Sequence, residues 1–111
     1  MINEFNHSEV FSYSGIIDYA QGSIVSRQIL QRKSGNITLF AFDKGQLLSE
    51  HTAPFAALIL IIDGEAEVKI NSVPYALKAG QSIIMPANIP HAVTATERFK
   101  MVLTMIKDNP E

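Results

Sequence analysis

The stretch "HTAPFAALILIIDGEAEV", residues 51–68, carries three signals in succession. From 56 to 62 every residue is apolar, a run far short of the roughly 20 residues of a membrane span and suited to a strand covered on both faces. Asp63-Gly64 interrupts that run with a pair favoured in two-residue hairpins. "EAEV" then resumes in strict alternation, the period of a strand with one wet face. Two strands joined by a hairpin at 63–64 are predicted.

The same grammar continues on either side. "SIVSRQILQR", "NITLFAFDK" and "LLSEHTA" precede the stretch, and "QSIIMPA", "HAVTAT" and "RFKMVLTMIK" follow it. Between the runs stand "KSGN", "DKG", "NSVP", "KAGQ" and "PANIP", rich in residues that tolerate positive φ or end strand pairing. Short strands at this spacing predict an all-β sandwich or barrel over residues 23–111. Residues 1–22 show no period and are expected to cover the domain or mediate dimer contacts. "AALILII" and "FKMVLTMI" (99–106) are apolar on both faces, so their outer side needs a cover. The N-terminal segment, a second copy of the chain, or a second sheet of the same domain would each supply one.

Bulk composition narrows the function. A chain of 111 residues fits one domain, and 47% hydrophobic with 18% charged residues is the balance of a globular chain. The formal charge of −2, with no basic cluster, argues against a nucleic-acid partner. The absence of cysteine removes disulfides, thiolate metal ligands and a cysteine nucleophile. With neither an apolar signal core nor a membrane-length segment, a cytoplasmic protein without membrane contact is expected.

Two groups of residues carry a sharper signal. Gly45 lies six residues before His51 and Gly64 thirteen after it; in "GQSIIMPANIPHAVTA" (80–95), Gly80, Pro86 and His91 follow at spacings of six and five. Together these resemble the two motifs of the cupin superfamily, G-x5-H-x-H-x3,4-E-x6-G and G-x5-P-x-G-x2-H-x3-N, and the likeness extends over roughly residues 24–106. The resemblance implies an antiparallel jelly-roll β-barrel with a site at one mouth, where two histidines, a glutamate and a third histidine hold a divalent metal. This chain departs from that pattern. Ala53 stands in the place of the second histidine, Ala57 in that of the glutamate, Asn88 in that of the middle glycine and Ala95 in that of the final asparagine. It is similar to a small single-domain cupin with degenerate metal motifs.

His51 and His91 remain as candidate metal ligands. Strand alternation groups His51 with Ser49 and Ala53 and turns Glu50 and Thr52 the other way, so Glu50 does not replace the missing carboxylate. Two imidazoles completed by water would bind a divalent Zn, Ni, Cu, Fe or Mn ion only weakly. Around them the expected pocket lining is Ser49, His51, Ala53, Ala57, Ile59, His91, Val93, Met101 and Leu103, with Met85 and Phe99 at the rim. The plainer alternative is that the apolar members are ordinary core and the two imidazoles ordinary hydrogen-bonded side chains. His7 would add a ligand only if its segment folds over the mouth, and Arg27 either reaches an anionic ligand or faces water.

Two functions from different classes follow. The first is a homodimeric module that binds a small molecule and performs no chemistry of its own. The alternative is a metal-dependent enzyme, isomerase or dioxygenase-like, in which His51 and His91 hold a Lewis-acid metal, or a metal-free one with a histidine as general base. A third, structural reading is a bare dimerising domain whose pocket is filled by Met and Phe. No Ser-His-Asp set, phosphate-cradling glycine loop or carboxylate pair is in register.

Overall fold

The computed structural model describes residues 5–107 and is built from eight antiparallel strands: β1 Ile24–Arg32, β2 Gly35–Phe42, β3 Leu47–His51, β4 Ala56–Ile70, β5 Val73–Lys78, β6 Ser82–Met85, β7 His91–Thr94 and β8 Phe99–Ile106. Residues 1–4 of the expected N-terminal segment and 108–111 of the expected barrel lie outside the described residues. The only helix among the described residues is a single 3-10 turn, Tyr13–Gly15. The fold is all-β, as its alternating runs predict.

The two halves of the barrel share β4. Its first half pairs with β6 and β8, in the sheet that continues through β2 to β1. Its second half pairs with β5 and β7, and β7 carries β3. Asp63-Gly64 is therefore not a hairpin turn, contrary to the sequence expectation. The register with β8 slips between Ile61 and Asp63, and one continuous 15-residue strand bends from one sheet into the other. Gly64 sits at φ +77°, and a Cβ there would lie 1.7 Å from the Arg98 carbonyl oxygen. Close backbone approach at a bulge, rather than chain reversal, is what requires the glycine.

Between the sheets lies a core of Phe42, Ile59, Ile61, Val68, Phe99 and Met101, all essentially without solvent contact. Phe42 and Phe99 stack with ring centroids 4.5 Å apart and planes 21° from parallel, an offset geometry worth about 0.5–1.5 kcal/mol beyond burial. Phe99 is thus a core residue and not part of a pocket rim.

A second apolar cluster lies on the outer face of the β1-β2-β8-β4 sheet. Leu60, Ile62 and Val102 pack there with Ile29, Leu39 and Ala41 against Phe5, Tyr13, Ile16, Ile17 and Tyr19 of the N-terminal segment. Cations tie the segment down. Arg27 donates through Nη1 to the Ile16 carbonyl (2.8 Å) and lies 4.5 Å over the Phe5 ring, so it neither points to a ligand nor simply faces water. Lys100, buried, donates through Nζ to the Ser14 carbonyl at 3.2 Å. The Tyr19 hydroxyl donates to Asp63, and its ring stacks under the Arg98 guanidinium at 4.7 Å. Arg98 in turn bonds Asp43 at 2.9 Å, and the Gly22 amide, ahead of Arg98, holds the Asp43 carboxyl below its ordinary range.

Candidate functional site

His51 ends β3 and His91 begins β7, and the two are register partners. That pairing depends on a bulge. Two residues, Ser49 and Glu50, lie between Leu48 and His51, while only Ala92 lies between their respective partners Val93 and His91. The extra residue resets the alternation, so Leu48 and His51 share the inner face. Ser49, which simple alternation groups with His51, is exposed and does not line the cavity; its backbone carbonyl meets His51 instead. Leu48 takes the place expected of Ser49.

The cavity beneath the two imidazoles is lined by Leu48, His51 and Ala53, by Ala57 and Ile59 of β4, by Met85 of β6, by His91 and Val93 of β7, and by Met101, Leu103 and Met105 of β8. The residues that sequence reasoning missed are Leu48 and Met105. Met105 was legible as the next inward position after Met101 and Leu103; Leu48 was not, because the bulge has no sequence signature. His7 lies on the N-terminal segment, which packs on the outer face, and it is not part of the lining.

The loop between β6 and β7 frames the mouth. Asn88 occupies the left-handed region at φ 65° and donates its amide to the Ala53 carbonyl at 2.7 Å. Asparagine tolerates that conformation better than most side chains, which is how it stands where the resemblance has glycine. Ala95, in the place of an asparagine, exchanges backbone hydrogen bonds with the β2–β3 turn at Gly45 and Gln46, each 2.8 Å, and needs no side-chain partner.

The two rings meet at Nε2. His51 Nδ1 lies 2.8 Å from the Ser49 carbonyl oxygen and His91 Nδ1 3.2 Å from the Ile89 carbonyl oxygen. A carbonyl only accepts, so each Nδ1 carries a proton and each neutral ring presents an Nε2 lone pair. Those two Nε2 atoms are 3.1 Å apart. Two lone pairs at that distance repel unless an electron-poor group lies between them: a shared proton, an acidic hydrogen of a ligand, or a metal ion. Burial, the largest cause, holds His91 below the ordinary histidine range; the Ile89 carbonyl opposes the shift and the neighbouring His51 adds to it. His91 is 5% exposed whereas His51 is open to solvent, so the pair has a deep and a shallow member.

The cavity holds about 60 Å³. That is room for a small group, well below the roughly 300–1,000 Å³ of a pocket for a drug-sized ligand. Among the described residues no Asp, Glu, Lys or Arg lines it. Among the described residues no group of three or more His, Cys, Asp or Glu is arranged to hold a metal ion. The four-donor cage that the resemblance implies does not fit this chain, since methyl groups stand at Ala53 and Ala57.

The chain belongs to the cupin domain family, whose model matches residues 38–107. Among solved structures it is similar to a conserved protein of unknown function from Streptococcus pyogenes, with 38% identity over 98% of this chain and 96% of that one, at a TM-score of 0.91. A cupin 2 conserved barrel domain protein from Leptotrichia buccalis is 40% identical over 87% of this chain, which spans 47% of that one, at a TM-score of 0.85. A cupin superfamily protein from Desulfitobacterium hafniense is 26% identical over 96% of this chain and 97% of that one, also at 0.85. No curated protein matches the chain. The jelly-roll barrel expected from the two motifs is the fold of these relatives. No helix among the described residues is long and apolar enough to cross a membrane.

Proposed function

We propose that this cupin is a small-ligand-binding module whose pocket receives an electron-poor group on the paired Nε2 atoms of His51 and His91. One observation carries the reading: both Nδ1 atoms are committed to backbone carbonyls, so both lone pairs converge at the mouth of an otherwise apolar cavity. The small volume restricts what enters to a group of a few heavy atoms, with the remainder of the ligand lying across the mouth. Met85, Met101 and Met105 give the walls some adaptability, since unbranched thioether side chains repack at low cost. The enzyme reading, isomerase or dioxygenase-like, has less support because among the described residues no carboxylate lines the cavity to complete a divalent centre or to exchange protons with a substrate.

A thermal-shift panel of compounds carrying an acidic O–H or N–H on a group of a few atoms tests this. A ligand at 100 times its Kd adds about 2.7 kcal/mol of stability, which raises the midpoint by several degrees in a domain this size. Stabilisation by at least one compound is expected, and it should vanish in the His51→Ala/His91→Ala variant. Equal stabilisation of that variant, or none of the wild type, contradicts the reading.

The module is also proposed to pair with a second copy of itself. Leu58, Ile84 and Ile106 are 40%, 65% and 63% exposed on the part of the outer sheet face that the N-terminal segment leaves open, and Leu58 and Ile84 are direct cross-strand partners. Light scattering should give a dimer mass for the wild type and a monomer mass for Leu58→Asp/Ile84→Asp. A monomeric wild type would contradict it.

A further inference from the structure

We infer that residues 52–55, between β3 and β4, form a flap over this pocket, latched shut by the Asn88 amide and released when Asn88 leaves its left-handed backbone conformation. The inference rests on the reading that this cavity is a binding site, and it names what controls entry. A cavity of about 60 Å³ leaves a ligand group little clearance, so movement of its rim decides what enters. Ala53 lines one wall and stands inside the flap. Lifting 52–55 therefore removes a wall and opens the space beside His51, which already meets solvent.

Few bonds hold the flap. Among the described residues, the bond from the Asn88 amide to the Ala53 carbonyl, 2.7 Å long, is the only backbone hydrogen bond that residues 52–55 make outside strand pairing. The Lys107 ammonium lies 5.8 Å from the Phe55 ring, near the outer limit of cation–π attraction. The facing loop, 86–90, is fixed more firmly. Its Pro90 carbonyl accepts the Asn71 amide at 2.8 Å, and its Ile89 carbonyl lies 3.2 Å from Nδ1 of His91. Prolines at 86 and 90 restrict its backbone further.

Asn88 is the movable point between the two loops. Its φ of 65° is costly for a residue with a Cβ, though less so for asparagine than for most. With Ile89 and Pro90 anchored, a return of φ to negative values rotates the 87–88 peptide and swings its N–H away from Ala53. One hydrogen bond at an exposed residue is worth little net of the water that replaces it, and the left-handed conformation it requires costs a comparable amount. The two nearly offset. Latched and released states therefore lie close in free energy, and both are populated. Glycine at 88 would favour the latch, and a β-branched residue would favour release.

Two measurements on the full chain, as wild type, Asn88→Gly and Asn88→Val, test the flap. Hydrogen exchange of the residue-88 amide, corrected for the intrinsic effect of the side chain, reads release of the latch. Oxidation of Met85 to its sulfoxide by hydrogen peroxide, followed by mass spectrometry, reads entry into the cavity, since Met85 lines it and is 4% exposed. Asn88→Gly should slow both processes about 5-fold, and Asn88→Val should speed both by a similar factor, as the cost of the left-handed region implies. The amide of Val68, in the core, should stay far more protected than that of residue 88 in every variant, which separates release of the flap from unfolding. The glycine variant keeps the test decisive if the valine variant folds poorly. Exchange at residue 88 indifferent to glycine, or Met85 oxidation that does not follow the latch, would each overturn the inference. Either result alongside a compound whose stabilisation is lost in His51→Ala/His91→Ala would overturn the flap while leaving the proposed function standing. A flap that responds as expected, with no compound stabilising the wild type, would support the flap and overturn the proposed function.

Discussion

His51 and His91 lie forty positions apart in the sequence, yet they are register partners on β3 and β7, with their Nε2 atoms 3.1 Å from each other. The rings meet edge to face, with centroids 4.4 Å apart and planes at 71°. Each is turned by its own backbone: the carbonyl two residues earlier in the chain takes the Nδ1 proton. The local chain thus sets the tautomer, and the barrel brings the two lone pairs together.

Gly64 is the position where the barrel tolerates least. Gly64→Ala should destabilise the protein by more than about 3 kcal/mol, because the left-handed φ and the overlap with the Arg98 carbonyl act together. Gly22→Ala, at φ +67° with open space around it, should cost only about 1 kcal/mol. Urea denaturation of the two variants measures the difference, and similar losses in both would contradict the bulge assignment.

Tyr19 gives the fold an alkaline limit. Burial first, then the hydrogen bond to Asp63 and the charge of that carboxylate, raise its phenol above the ordinary value near 10. With the folded-state value above the unfolded one, the folded chain holds the extra proton in that window. The contribution is therefore complete below about pH 10 and is lost as pH climbs toward the folded value. Between pH 9 and 11 the wild type should lose more stability than Tyr19→Phe. Parallel pH profiles would contradict this.

Restoring the two missing donors should restore hard-metal binding. In Ala53→His/Ala57→Glu, affinity for Zn(II) or Mn(II) is expected to rise at least ~10-fold over the wild type, by calorimetric titration. An unchanged affinity would mean that these positions do not converge on the imidazoles.

Much of this architecture was readable from residue order, and the misreadings share a cause. Alternation and turn residues located most strands, and the glycines, proline and histidines at cupin spacing pointed to the barrel. Asp63-Gly64 misled because a dipeptide that suits a hairpin also suits a bulge; only the closeness of Arg98, distant in sequence, decides which forms. β5 was hidden because Pro74 looks like a strand breaker, whereas among the described residues β5 pairs only with β4, and a proline is tolerated on such an edge strand. Ser49 was grouped with His51 because alternation has no warning of a bulge. Phe99 was expected at a rim, and its stacking on Phe42 in the core is a tertiary contact with no local signature. The cover on the outer face was left open among three sources, because nothing local to Leu60 and Ile62 names the Phe5, Tyr13, Ile16, Ile17 and Tyr19 side chains that pack in the same cluster.

The convergence of two lone pairs in one cup is tested most directly by long-range proton–nitrogen correlation spectra of the imidazoles, recorded at mildly alkaline pH on the wild type and on His91→Ala. His51 and His91 should both carry their proton on Nδ1, and removing His91 should displace the Nε2 resonance of His51 while leaving His7 in place. A proton on Nε2 of either ring, or a His51 signal indifferent to the loss of His91, would contradict the account.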